Sequence, residues 1–481
     1  MEIYRSLGIE DEIRAQRARE AGVNLLVRGK NLTDPDMKKG EVAWPDASDI
    51  SPTAHATCEQ DRLEPILRSH AERHGAEILF NTELVEFEQD HAGVYALIRN
   101  INTQEECRVE ASYLIAVDGV NGTIREMLGI RRHGPGALQH WVNVIFDTNL
   151  QSVLNDLHFT GSMLTDINGS LVSREGSDHW SMSVQYFPER GQHPENFTED
   201  YCRELIRKGA GRSDFNAEIV DVRSWVAAAY VAEKFKEGRV FLVGDAAHVM
   251  PPTGGFGGNT GIHDAHNLAW KLEAVMNGTA GPQLLETYDC ERMPVAEHTM
   301  EQALARLQAW FKDPAKKLPP PVEIVLDYNV VFGYKYHQGA IIPVEGDGAD
   351  QAFEDPHAPS GRLGTRAAHI SVEFRGERRS TIDLFAGKWV LVVGPGGSKW
   401  LEGAVASKKA EELELQCYMF GPGGELKDIE NRHGSAYGLD SDRAMLIRPD
   451  GFIAWRSRGL IESPETVLQK VFRLLTFEKS S

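Results

Sequence analysis

The 481-residue chain contains only five cysteines, Cys58, Cys107, Cys202, Cys290 and Cys417, and no C-x-x-C pair. That excludes a disulfide framework and a cysteine zinc site, and such sparse thiols fit a reducing, cytoplasmic compartment. No apolar run approaches the ~18 residues of a membrane-spanning helix. The opening MEIYRSLGIEDEIRAQRARE reads as a charged amphipathic helix without the apolar centre of a signal peptide. Basic excess is missing too: a formal charge of −20 argues against nucleic acid or an anionic membrane as a main partner. His70 and His74 have zincin spacing, but Ala71 stands where H-E-x-x-H needs Glu, so a solvated helix face is expected and no metal site. The G-x-G-x-x-G turn of dinucleotide-binding folds occurs nowhere in the sequence.

What is present is a multidomain α/β pattern. Residues 1–130 alternate helical and strand signals. QDRLEPILRSHAERHG puts Leu63, Ile66, Leu67 and Ala71 on one helical face. Strands are expected at EILF (77–80), TELVEFEQ, VYALIRN and within ECRVEASYLIAVDG, then a helix at NGTIREML. Residues 131–235 turn strand-rich (HWVNVIFDTNL, SMLTDI, GSLVSRE, HWSMSVQYF, EIVDVRSWVAAAY), as a half-exposed sheet would. Residues 236–345 return to strand then helix. Breaker-rich links, KDPAKKLPPP and PVEGDGADQAFEDPHAPSGRLG, lead to a unit at 360–481.

One stretch carries the chemistry: VFLVGDAAHVMPPTGGFGGNTG, residues 240–261. Its apolar start predicts a buried parallel strand, and ligands of open α/β sheets sit at the carboxyl ends of such strands. Asp245 falls there, able to accept hydrogen bonds from a polyol. Gly254, Gly255, Gly257 and Gly258 let backbone approach a flat ligand with no Cβ between them. Behind them Ile262, Ala265, Leu268, Ala269, Leu272 and Val275 are expected to form the buried face of a helix ending near Gly278. The N-terminus of that helix favours negative charge. A polyol on one side and an anionic ring on the other describe a reduced flavin. A second strand end, YLIAVDGVNGTIREMLGI, repeats the theme with Asp118-Gly119 and Arg125. Read alone, that D-G is equally a common turn.

Together these residues resemble the flavin-dependent aromatic hydroxylases, the single-component FAD monooxygenases similar to para-hydroxybenzoate and phenol hydroxylases. Among them the closest likeness is to polyketide hydroxylases with an extra C-terminal domain. GDAAHVMPPTGGFGGNTG with DAHNLAWKL and LLETYDCERMPVA resembles the family's G-D motif, YLIAVDGVNGTIR its D-G motif, and CEQDRLEPIL the segment whose glutamine approaches the flavin. The resemblance implies a doubly wound FAD-binding fold, here N-terminally shortened by its first βαβ unit, with an inserted β-sheet substrate domain and a C-terminal thioredoxin-like domain. It divides the chain into FAD-binding parts at 1–130 and 236–345, a substrate sheet at 131–235 and the thioredoxin-like unit at 360–481. It also implies FAD as cofactor, NAD(P)H and O₂ as co-substrates, and hydroxylation of a phenolic or polyketide ring through a flavin hydroperoxide.

The implied cofactor-binding residues are Gln60, Asp118, Gly119, Arg125, Gly244, Asp245, Ala247, Pro252, Gly255, Gly257, Gly258 and Asn259. The carbonyl of Pro252 would face the reacting flavin edge, making it the catalytic candidate, with a rigid turn as the alternative. His248 is expected to pack behind the site. Trp141, Tyr186, Trp225 and Tyr230 are expected mainly in core packing, with substrate contact as the alternative. Gly122 departs from the family pattern, which has Ser there. In the C-terminal unit GPGGS (394–398) replaces a redox C-x-x-C, which points to a structural or homodimer-supporting role. Two other readings stay open: a non-catalytic remnant unable to hold FAD, and a flavin-dependent reductase. A flavin halogenase fits less well, because W-x-W-x-I-P is missing.

Overall fold

The computed structural model describes residues 1–16, 25–41, 46–56, 58–150, 154, 159, 161–173, 178–310, 318–343, 352–459 and 462–478. Parts of both expected links, 311–317 and 344–351, lie outside the described residues, as do 17–20 of the opening stretch.

The strand Val240–Leu242 is short because its three residues are fully buried and Gly244 turns the chain directly after it. It pairs in parallel with Leu114–Ala116. Lys236–Glu237 covers its other side, giving a three-stranded sheet. Phe235, Phe241 and Tyr288 pack beneath, with the long helix Thr287–Trp310 behind. A separate antiparallel meander, Thr82–Gln89, Val94–Asn100 and Glu106–Ala111, stands beside this unit.

The strand-rich middle forms an eight-stranded sheet built on Arg132–Thr148, His179–Tyr186 and Ala217–Ala232. Alternation along these strands turns Val142, Val144, Phe146, Trp180, Met182 and Val184 into one core. The sheet also recruits Leu25–Gly29 and Lys38–Glu41, which were expected in the first FAD-binding segment. Leu26 through Gly29 find parallel partners at Gly161–Leu164, a long-range pairing with no local signal.

Three further expectations are corrected. EILF forms no strand: no described segment pairs with it, and Leu79 and Phe80 are exposed. The opening helix is two, Glu2–Ser6 and Glu10–Ala15, because Gly8 takes φ 73° between them. The helix behind the glycines runs Phe256–Met276 as expected and buries Leu268 as expected, but Thr260, Asp264, Asn267 and Lys271 are buried beside it while Ala265 and Ala269 are exposed.

The C-terminal unit has a four-stranded sheet centred on Val390–Val393. That strand runs parallel to Gln416–Met419 and antiparallel to Ala444–Ile447, which forms a hairpin with Ile453–Arg456. Helices Ser398–Ala406 and Pro464–Leu475 pack one face around Trp400, and Phe385, Phe420 and Tyr437 fill the other. This is the thioredoxin-like arrangement. Among the described residues no helix is long and apolar enough to cross a membrane, and no cluster of side chains has the makings of a metal site.

Candidate active site

The parallel register Leu242↔Ala116 brings both sequence motifs to one end of one sheet. Val243 N–H donates to the Ala116 carbonyl at 3.0 Å, so Gly244-Asp245 and Asp118-Gly119 leave adjacent strands side by side. Gly244 adopts φ 60° and opens a single 3₁₀ turn. That turn leaves Asp245 exposed, and no described side chain or backbone group engages its carboxylate. Ala247 lies instead in the core. Its N–H bonds the Gly244 carbonyl and its own carbonyl accepts from Ala232, both at 2.8 Å, so it supports the turn.

After His248–Val249 the chain reverses through Pro252, whose carbonyl accepts the Gly255 N–H at 3.1 Å. Gly254 and Gly255 take φ 90° and 66°, and Gly255 starts the helix without any side-chain cap. The first-turn N–H groups therefore lack a capping acceptor and no acidic side chain answers their partial charge. A Cβ added at Gly255 or Gly258 would meet nothing within 4 Å, and one at Gly257 only Met250 at 3.7 Å. Glycine inside a helix is costly, and the chain's own packing gives no reason for it at Gly258. Asn259 is exposed, its Nδ2 donating to the Gly255 carbonyl at 2.8 Å.

The remaining candidates are engaged locally. Asp118 Oδ2 accepts the Ile124 N–H at 3.1 Å, and a Cβ at Gly122 would come within 2.1 Å of the Asp118 carboxyl carbon. Serine at position 122 would thus have to displace that carboxylate, which is why glycine suits this conformation. Arg125 turns inward, Nη1 donating to the Ile130 carbonyl at 2.6 Å and Nη2 to Glu126 at 2.8 Å. Gln60 opens the Gln60–Arg73 helix, exposed, and bonds Glu64 at 2.6 Å. That helix reaches the site region because Leu63, Ile66 and Leu67 pack with Ile262.

Sequence reasoning missed what lies behind the turn. Asp264 is fully buried; its Oδ2 accepts from Gly244 N–H at 3.2 Å and from His248 Nε2 at 2.6 Å, while Oδ1 accepts from Arg292 Nε at 2.7 Å. Burial alone would raise the Asp264 carboxyl, but His248 and Arg292 outweigh it and hold the group below its ordinary value. The signal was the polar spacing Thr260, Asp264, Asn267, Lys271, four or three residues apart along one helix face.

On the middle sheet Tyr186 is core, as expected. Trp141 and Trp225 are not: they stack at 6.0 Å and 13° on the opposite, half-buried face. There Asn143 Oδ1 accepts from Trp225 Nε1 at 3.0 Å and Ser183 Oγ at 2.8 Å. Tyr230 is half-buried under the Arg132 guanidinium, 4.0 Å from its ring centroid.

Residues 1–303 match the family described as FAD binding domain, and residues 360–473 match that described as aromatic-ring hydroxylase, C-terminal. The chain belongs to the FAD-dependent aromatic-ring hydroxylases. It is 37% identical to 4-methyl-5-nitrocatechol 5-monooxygenase of Burkholderia sp over 98% of this chain and 88% of the relative. To aklavinone 12-hydroxylase of Streptomyces purpurascens it is 35% identical over 98% of this chain and 89% of the relative. The crystal structure of aklavinone-11 hydroxylase with FAD and aklavinone superposes with a TM-score of 0.90 at 34% identity, covering 99% of this chain and 90% of that one. FAD is the cofactor of these aromatic-ring hydroxylases. The glycine cradle, the unpartnered Asp245 and the uncapped helix start in this chain fit it.

Proposed function

We propose that this chain hydroxylates a phenolic ring of a flat, polyketide-type aromatic, using FAD, NAD(P)H and O₂. The observation that carries the reading is the convergence of Gly244-Asp245, Asp118-Gly119 and the uncapped helix start at one sheet end. The hydroxylases named above supply the substrate class. When bound, FAD supplies the redox chemistry, accepting a hydride from NAD(P)H and activating O₂.

The chain's own residues supply position and environment. Asp245 would accept from the ribityl hydroxyls, and backbone at Gly255, Gly257, Gly258 and Asn259 would hold the ring. The helix start favours negative charge on the reduced ring, and Pro252 borders its reacting edge. Asp118, Gly119 and Arg125 would hold the pyrophosphate side, and Gln60 would reach in from its helix. Gly244 and Ala247 act through the turn they build. In this reading 1–130 and 236–345 hold the cofactor, 131–235 covers the substrate and excludes water, and 360–481 supports the assembly. The Trp141–Trp225 stack offers a flat apolar wall with polar neighbours, suited to a fused-ring substrate.

The test is the visible spectrum of the purified chain with excess FAD after desalting, followed by NAD(P)H oxidation with phenolic polyketides under labelled O₂. Retained flavin and product carrying one labelled oxygen support the reading. A chain that stays colourless, or one that turns over NAD(P)H without labelled product from any phenol, overturns it in favour of the non-catalytic or the reductase reading respectively.

A further inference from the structure

The hairpin turn of the C-terminal sheet, RPDG at 448–451, is inserted into the cofactor unit. Gly451 takes φ 83° and its N–H donates to the Arg448 carbonyl at 2.8 Å, which presents both Arg448 and Asp450 inward. Arg448 is fully buried. It binds Glu291 with two bonds, Nη1 to Oε1 at 2.7 Å and Nη2 to Oε2 at 2.8 Å, and its Nε donates to Asp450 at 2.9 Å. Glu291 Oε2 also accepts from Lys271 at 2.8 Å and Asn267 at 2.7 Å. Asn267 and Arg292 Nη1 both donate to the Tyr336 hydroxyl, each at 3.2 Å. Arg292 then holds Asp264, and Asp264 holds the Gly244 N–H and His248.

We propose that the Arg448–Asp450 turn is a positioning element for the FAD-binding turn, acting through Glu291, Asn267, Tyr336, Arg292 and Asp264. The inference rests on the reading of Gly244-Asp245 as a flavin site. Three features argue for it. The chain of contacts is continuous, with every link a hydrogen bond or ion pair between named atoms. Its members are buried, and Arg448 grips both Glu291 and Asp450 with two bonds each, so it cannot slide without losing a partner. And it ends on a backbone N–H of the turn itself, at the one residue whose positive φ sets where Asp245 points. Arg448 and Glu291 touch no part of the proposed cofactor region, so they act through Asp264.

Hydrogen exchange over residues 240–250 of the full chain without added FAD, beside an FAD titration, tests this. Tyr336→Phe removes only a hydroxyl; it should speed exchange at Gly244–His248 about threefold, and Arg448→Met roughly tenfold, with Arg448→Lys between them. FAD dissociation constants should rise in the same order, and the absorbance envelope of bound flavin should shift in Arg448→Met and return towards wild type in Arg448→Lys. Unchanged exchange in folded Tyr336→Phe and Arg448→Met overturns the proposal; should Arg448→Met not fold, Tyr336→Phe decides alone. A wild-type chain that takes up no FAD sinks the flavin reading by itself, because coupling from hairpin to turn is read from exchange without cofactor.

Discussion

Gly261 and Gly244 touch across the site: a Cβ on Gly261 would lie 3.1 Å from the Gly244 Cα. The helix seats this closely against the turn because Gly261 has no side chain; a Cβ on Gly244 would reach only ordinary contact, 3.7 Å from the Gly261 Cα. Gly261→Val should therefore destabilise the chain by roughly 1–3 kcal/mol through overpacking and weaken FAD binding as the turn is pushed outward. Thermal unfolding and an FAD titration of the same preparation check both effects.

Gly258 gives the opposite expectation. A Cβ there meets nothing in the protein, and alanine in a helix interior is favoured over glycine by about 1 kcal/mol. Gly258→Ala should raise the melting temperature while weakening FAD. Higher stability with unchanged affinity would remove Gly258 from the cofactor surface.

Asp245 is exposed, and no described residue engages its carboxylate. Asp245→Ala should leave stability unchanged while weakening FAD by roughly tenfold or more, the cost of losing hydrogen bonds to a charged acceptor. Equal FAD affinity in the variant would sink the ribityl assignment.

Glu291 makes stability depend on acid. Burial alone would raise its carboxyl, but Arg448 and Lys271 pull it down to about 2, against an ordinary value of 4.5. A depressed carboxylate contributes stability that is fully present above its unfolded pKa and is lost as pH falls towards its folded one. The chain should thus lose stability between about pH 4.5 and 2, with Glu291 alone contributing roughly 3 kcal/mol. Denaturant unfolding across that window measures the slope, which should be shallower in Glu291→Gln.

Thiol chemistry separates the cysteines. Burial pushes Cys202 and Cys417 up to about 11, whereas Cys107 is exposed. At pH 8 a disulfide reagent should label Cys107 quickly and spare Cys202 and Cys417 until the chain unfolds. Rapid labelling of Cys417 would reopen redox chemistry in the thioredoxin-like unit.

Where local pattern carries the structure, the sequence was legible. Val240–Leu242 is a buried parallel strand, and the Phe256 helix starts behind its glycines, since an apolar run and a positive-φ turn each have near-neighbour causes. Elements defined by distant partners were not legible. Leu25–Gly29 joins the middle sheet only because Gly161–Leu164 is there to pair with it. EILF alternates too little to stand without a neighbour. The Phe256–Met276 helix was expected to bury alanines and leucines. Leu268 is buried as expected, but beside it the helix buries Asp264, Asn267 and Lys271, whose side-chain partners come from positions 248, 291, 292, 336 and 450. At the site the positive-φ glycine turn and the exposure of Asp245 follow from local pattern, and the carboxylate behind them does not.

Asp264, Glu291 and Asp450 are sealed together with Lys271, Arg292 and Arg448, three formal negative charges against three positive. Such a set cannot drift one residue at a time. Removing any member strands a buried partner at a cost of roughly 3–5 kcal/mol, a large part of a domain's whole stability. A lineage carrying this chain can alter the cluster only by paired or triple replacement, whereas the exposed surface around it is free to change singly. The route from hairpin to turn is thus held in place by the sparseness of its viable neighbours in sequence space.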